Sequence, residues 1–161
     1  MQIFTYPFLS KLIYRYGNIP ASLLLLFILY VSVSNLNVSI FNLIPCLITL
    51  LLLYYLNKHY LMLYKIIPFK IKADSEKLIC SGFIFSRKEL TIFYSNIESL
   101  SGGIFDGKSY GIMKVCDGKN KLCIGFFNNL INVRSFEKII LTKINKEIYE
   151  NAAGKIKGMK K

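Results

Sequence analysis

The residues able to do chemistry are few and scattered. The single histidine, His59, sits among Tyr54, Tyr55, Tyr60 and Tyr64, with no serine, cysteine or carboxylate motif beside it to make it a general base or to be activated by it. It reads as a residue at headgroup depth. Asp74 and Glu76 are close in sequence but fall in a turn-like Asp74-Ser75-Glu76 without a partner, and Glu89, Glu98 and Asp106 are dispersed. Ser101-Gly102-Gly103 leads into a strand pattern and lacks the lysine and helix of a phosphate-cradling loop. Cys46, Cys80, Cys116 and Cys123 form no C-x-x-C pair, and one histidine cannot complete a four-ligand zinc set. Free thiols in a reducing cytoplasm are expected. Neither a metal nor a cofactor is expected, and the chain is expected not to be an enzyme.

Binding chemistry is better represented. Lys108, Tyr110, Lys114, Lys121 and Phe127 are spaced to project from one side of the last two strands. Lysines interleaved with aromatics suit an anionic membrane surface. The same types could stack single-stranded nucleic acid, but charge this sparse on a tethered domain argues for no nucleic acid. The plain alternative is a solvated sheet face.

These residues hang from an apolar N-terminal half. The chain has 161 residues, is 53% hydrophobic and carries a formal net charge of +12. No charged residue lies between Arg15 and Lys58, and Leu23 to Val33 and Ile40 to Leu56 are two apolar runs around a short polar centre, Ser34 to Ser39. The pattern predicts a transmembrane helical hairpin over 19–64, with spans of about Ile19 to Asn35 and Ser39 to Leu56, the second extending as far as Leu63. Lys11 and Arg15 flank one end and Lys58 and Lys65 the other, while the connecting loop is uncharged, so both termini are expected in the cytoplasm. The expectation is a multi-pass protein of the plasma (inner) membrane. Residues 1–18, with Phe4, Tyr6, Phe8, Leu9, Leu12, Ile13, Tyr14 and Tyr16, predict a short interfacial helix broken at Gly17-Asn18-Ile19-Pro20.

From Pro68 the pattern changes to short strands: 69–73, 78–85, 90–94, 97–104, 110–116 and 121–127, with turns at Asp74-Ser75-Glu76, near Ser86-Arg87-Lys88, and at Asp106-Gly107. A two-residue turn at Gly118-Lys119 would pair Val115 with Leu122 and Met113 with Ile124, and set Cys116 opposite Lys121. Cys116 and Cys123 would then be diagonal, too far apart for an easy disulfide. Keeping Glu98 off the core side requires a bulge, expected at Gly102-Gly103. Asn132 or Ser135 can cap one final helix whose apolar face is Phe136, Ile139, Ile140, Ile144 and Ile148, ended by Gly154 and followed by a basic tail, 155–161.

Ile92-Phe93-Tyr94-Ser95-Asn96-Ile97, Cys123-Ile124-Gly125-Phe126-Phe127-Asn128-Asn129 and the helix from Asn132 to Ile148 resemble the corresponding parts of bacterial pleckstrin-homology-like (PH-like) domains. The resemblance implies an α+β fold over 65–154: an antiparallel β-sandwich or barrel of six to seven strands with a C-terminal amphipathic helix, carried behind two membrane helices. Six strands are legible where a full domain of that kind has seven. The function implied is a membrane-anchored cytoplasmic binding or scaffold module that presents a sheet surface to a protein partner or a second copy. The alternative is an anionic-lipid-binding module using the Lys108/Lys114/Lys121 face.

Overall fold

The computed structural model describes residues 1–36, 40–85 and 89–158. The expected turn at Ser86-Arg87-Lys88, residues 37–39 of the hairpin's polar centre, and the tail from Met159 lie outside the described residues. The fold is α+β, and the chain divides into two compact units: Leu12–Tyr64, and Met1–Lys11 together with the chain from Lys65 onward.

The helical unit follows the apolar pattern. Helix α1 (Phe8–Tyr16) stops at Gly17, and α2 (Asn18–Ser34) carries Pro20 in its first turn, where a missing N–H is harmless. A short 3-10 turn, Ile40–Asn42, leads into α3 (Leu43–Ile66). The continuous stretch Ile40–Ile66 is 27 residues long and apolar enough to cross a bilayer, while α1 and α2 reach that length only together, across a 40° bend. Most large apolar side chains of α2 and α3 are exposed. The polar groups meet one another instead: Asn57 of α3 donates to Ser22 Oγ (3.2 Å), and the Tyr64 hydroxyl donates to Asn18 Oδ1 (2.6 Å). In a helix pair with little water such contacts fix the register of one helix on the other.

The second unit begins with a strand that the sequence pattern conceals. Gln2–Thr5 is β1, not part of an interfacial helix, and it pairs antiparallel with β2 (Lys70–Ala73). The N-terminal segment is therefore half strand and half helix. β2 pairs with β3 (Lys77–Ser81), and β3 with β4 (Leu90–Phe93), giving a four-stranded sheet in the order β1-β2-β3-β4. A 3-10 turn at Tyr94–Asn96 carries the chain into a second sheet, β5 (Ile97–Ser101), β6 (Met113–Asp117) and β7 (Leu122–Phe126). Among the described residues the strands number seven, in two open sheets. They do not close into a barrel.

Alternation decides what each sheet buries. Phe4, Ile71 and Cys80 form one buried row of the first sheet, and Ala73, Leu78 and Ile92 another. In the second sheet Leu100, Met113, Val115, Ile124 and Phe126 point inward. Phe136 joins the two cores, its ring 4.9 Å from Phe4 on one side and 4.9 Å from Phe126 on the other.

Three register details differ from expectation. The β6–β7 turn uses four residues, Gly118 to Lys121, because Asp117 folds back onto Asn120, accepting from its backbone N–H (3.1 Å) and from Nδ2 (2.8 Å), while Lys121 takes a left-handed φ of 52°. That shifts the pairing by two residues, which keeps the same faces but sets Val115 opposite Ile124 and Cys116 opposite Cys123. The two cysteines, 4.1 Å apart at Cα, form a disulfide rather than staying free. The bulge falls at Glu98, between the pairs Ile97–Asp117 and Ser99–Cys116. Gly102 and Gly103, with φ of 76° and 49°, instead turn the chain into a 3-10 segment, Gly103–Asp106, so Asp106-Gly107 is not a two-residue hairpin turn.

The single terminal helix is two. Asn132 occupies the cap position of α4 (Val133–Lys143) in a left-handed conformation, without a side-chain bond to the helix. Ile144 is extended, and α5 (Lys146–Gly158) begins after Asn145, whose carbonyl accepts the Tyr149 N–H at 3.0 Å. The extended Ile144 thus interrupts a continuous apolar periodicity. Gly154 and Lys155 lie inside α5, so neither ends the helix nor begins a tail.

Candidate functional site

The five residues expected on one sheet face are not brought together. Lys108 and Tyr110 lie in the connection between β5 and β6, both exposed. Lys121 is in the β6–β7 turn, and Phe127 follows β7 with its backbone N–H donating to the Tyr6 hydroxyl (3.0 Å). Only Lys114 is in a strand, half-buried opposite Gly125. The two-residue shift of β7 and the late start of β6 are the physical causes.

A basic face is built on the other sheet. Residues opposite each other in register share a face, so Ile3, Lys72, Ile79 and Thr91 form one outward row, Thr5, Lys70 and Ser81 a second, and Lys77 with Phe93 a third. The outward face thus carries three lysines with Ile3, Ile79 and Phe93, and no acidic residue occurs in β1 to β4. Ile3 is 57% and Phe93 41% exposed. The Lys77 ammonium stands 6.0 Å over the Phe93 ring. Both strands nearest the edge are tethered closely: Thr5 is three residues before α1, and Lys70 four residues after α3. The alternation Lys70-Ile71-Lys72-Ala73 is the signal in the sequence that marks this face; without the β1 pairing its extent is invisible.

The titratable groups around Tyr94 serve the fold. Lys143 donates to the carbonyls of Asp74 (2.7 Å) and Ser75 (2.9 Å) and lies 4.9 Å over the Tyr94 ring, beside a cavity of about 340 Å³. Burial, with Asp74 and Cys80 adding to it, pushes the Tyr94 hydroxyl up to about 12. Burial likewise pushes the Cys80 thiol up to about 12. Neither is a base or nucleophile at neutral pH. His59 lies on α3 with its ring edge-on to Tyr60 at 6.3 Å. Among the described residues no three His, Cys, Asp or Glu side chains converge on a possible metal position.

Comparison of the chain with family models, curated proteins and solved structures finds no match in any of the three.

Proposed function

We propose that this chain is a non-catalytic module held in the membrane by the helices of 12–64, with its folded domain on the cytoplasmic face of the inner membrane and the outward face of its first sheet docked on anionic lipid headgroups. The observation that carries the reading is the antiparallel pairing of β1 with β2. Two strands of one sheet must lie on the same side of a bilayer, so the segment between them crosses an even number of times or not at all. Exposed apolar side chains along α2 and α3 favour two crossings. The basic flanks, Lys11, Arg15, Lys58 and Lys65, favour the cytoplasmic side for both ends; the Cys116–Cys123 disulfide pulls the other way, since such bonds persist in oxidising compartments. Seven strands in two sheets with α4 packed across them support a PH-like fold whose first strand is contributed from before the helices.

Each lysine near an anionic surface contributes about 1 kcal/mol, so Lys70, Lys72 and Lys77 together supply enough to hold an already tethered domain down. The test is lysine acetylation of the full-length protein in nanodiscs. Phosphatidylglycerol should protect these three lysines relative to phosphatidylcholine, and 0.5 M salt should remove the protection. Equal labelling in both lipids rejects docking and returns the face to a protein partner or second copy, to be sought by crosslinking in the native membrane. Protease protection of tags at the two ends tests the anchor separately: ends on opposite sides would overturn it.

A further inference from the structure

A second site lies away from the lysine face. Helices α4 and α5 and the 3-10 segment Gly103–Asp106 line an open cavity of about 400 Å³, within the range that holds a small organic molecule. Its apolar wall is Ile104, Phe105, Leu141 and Ile156, and the ring of Tyr149 stands at its side. One acidic residue, Glu137, lines it. Glu137 is only 8% exposed, and its Oε1 is buried without a hydrogen-bond partner. A buried carboxylate oxygen with nothing to accept from is costly, and a ligand that brings a donor removes that cost.

We propose that this cavity binds a primary ammonium carried on an apolar body, with the ammonium donating to the Glu137 carboxylate and the body lying against Ile104, Phe105, Leu141 and Ile156. Tyr149 adds to the preference, since an aromatic face attracts a cation. The two basic residues in the wall, Arg134 and Lys138, are on the same helix as Glu137. Burial raises the Glu137 carboxyl above the usual range, and the Arg134 charge opposes it. The facing residues of α5 and the 3-10 segment, Tyr149, Ile156, Ile104 and Phe105, include no carboxylate and no basic side chain. Binding of the ammonium therefore strengthens as pH rises through the Glu137 titration and the carboxyl loses its proton.

The experiment is calorimetric titration of the full-length protein in nanodiscs with 2-phenylethylammonium, 2-phenylethanol and 3-phenylpropionate. The ammonium should bind saturably, the alcohol more weakly, and the carboxylate not at all. Glu137→Gln, which keeps the shape and removes the charge, should weaken the ammonium about tenfold or more. Leu141→Phe, which fills the apolar wall without touching the carboxylate, should weaken both the ammonium and the alcohol. Equal ammonium affinity in wild type and Glu137→Gln, or preference for the carboxylate, would overturn the proposal; the latter would mean that Arg134 and Lys138 select the ligand. Unchanged thermal unfolding of Glu137→Gln shows that a loss of binding is local.

Discussion

Removing the N-terminal strand should unfold a domain that begins sixty residues later. Phe4 and Tyr6 are 3% and 2% exposed, and their partners lie far along the chain. The Phe4 ring packs 4.9 Å from Phe136, the residue that joins the two cores. The Tyr6 hydroxyl accepts the Phe127 N–H, and the Thr5 carbonyl accepts the Ile131 N–H at 2.9 Å. Truncating a buried phenylalanine costs about 3–5 kcal/mol, a large share of the roughly 5–15 kcal/mol that holds a domain together. Phe4→Ala should therefore lower the urea midpoint of the full-length protein in detergent sharply, read by pulse proteolysis of the region after Lys65. Ile3→Ala, in the same strand but on the exposed face, is the control and should change stability by less than about 1 kcal/mol. Tyr6→Phe should fall between them, since it removes the hydroxyl that accepts the Phe127 N–H. A fragment from Lys65 onward should be digested rapidly alone and protected by a peptide covering residues 1–7. Equal midpoints for Phe4→Ala and Ile3→Ala, or a stable fragment without the peptide, would refute the assignment of β1 to the core.

Thiol counting tests the cysteine pairing: the denatured protein should show two reactive thiols, Cys46 and Cys80, without reductant and all four after reduction. In the native state at pH 8, Cys80 should react only on unfolding, because it is buried and its thiol is pushed up to about 12, leaving almost no thiolate. The Asp106 carboxyl is held below its usual range first by the Lys155 ammonium (2.8 Å) and next by the Gly102 N–H. A depressed carboxylate stabilises above its unfolded pKa, about 3.9, and loses that contribution as pH falls through the folded value. Asp106→Asn should thus speed hydrogen exchange in α5 at pH 7 but make no difference in strong acid. Gly102→Ala should destabilise the domain by about 2 kcal/mol or more, since φ is 76° and the added Cβ would collide with the Ile112 carbonyl oxygen; an unaltered urea midpoint would count against the turn geometry.

Local pattern was enough for much of this protein. The apolar runs mark α2 and α3, because a side chain in lipid or in a core must be apolar wherever the helix goes. Lys70-Ile71-Lys72-Ala73 and Leu90-Thr91-Ile92-Phe93 alternate as half-buried strands must. The Phe136–Ile140 face is legible for the same reason. The candidate face was misplaced because a register belongs to two strands at once. The Asp117–Asn120 fold-back lengthens the turn by two residues, and that alone moves Cys123 opposite Cys116 and leaves Lys121 off the strands.

The sequence by itself therefore determined the apolar helices, the alternation of each strand and the direction of its buried side. Only the tertiary structure decided that Gln2–Thr5 completes a sheet, that three lysines share its outer face, and that Glu137 lines a cavity. Aromatic residues at a chain terminus are equally good at entering a membrane interface or a core. The choice rests on the free edge of β2 and on the ring of Phe136, far away in the chain, and no local window contains either.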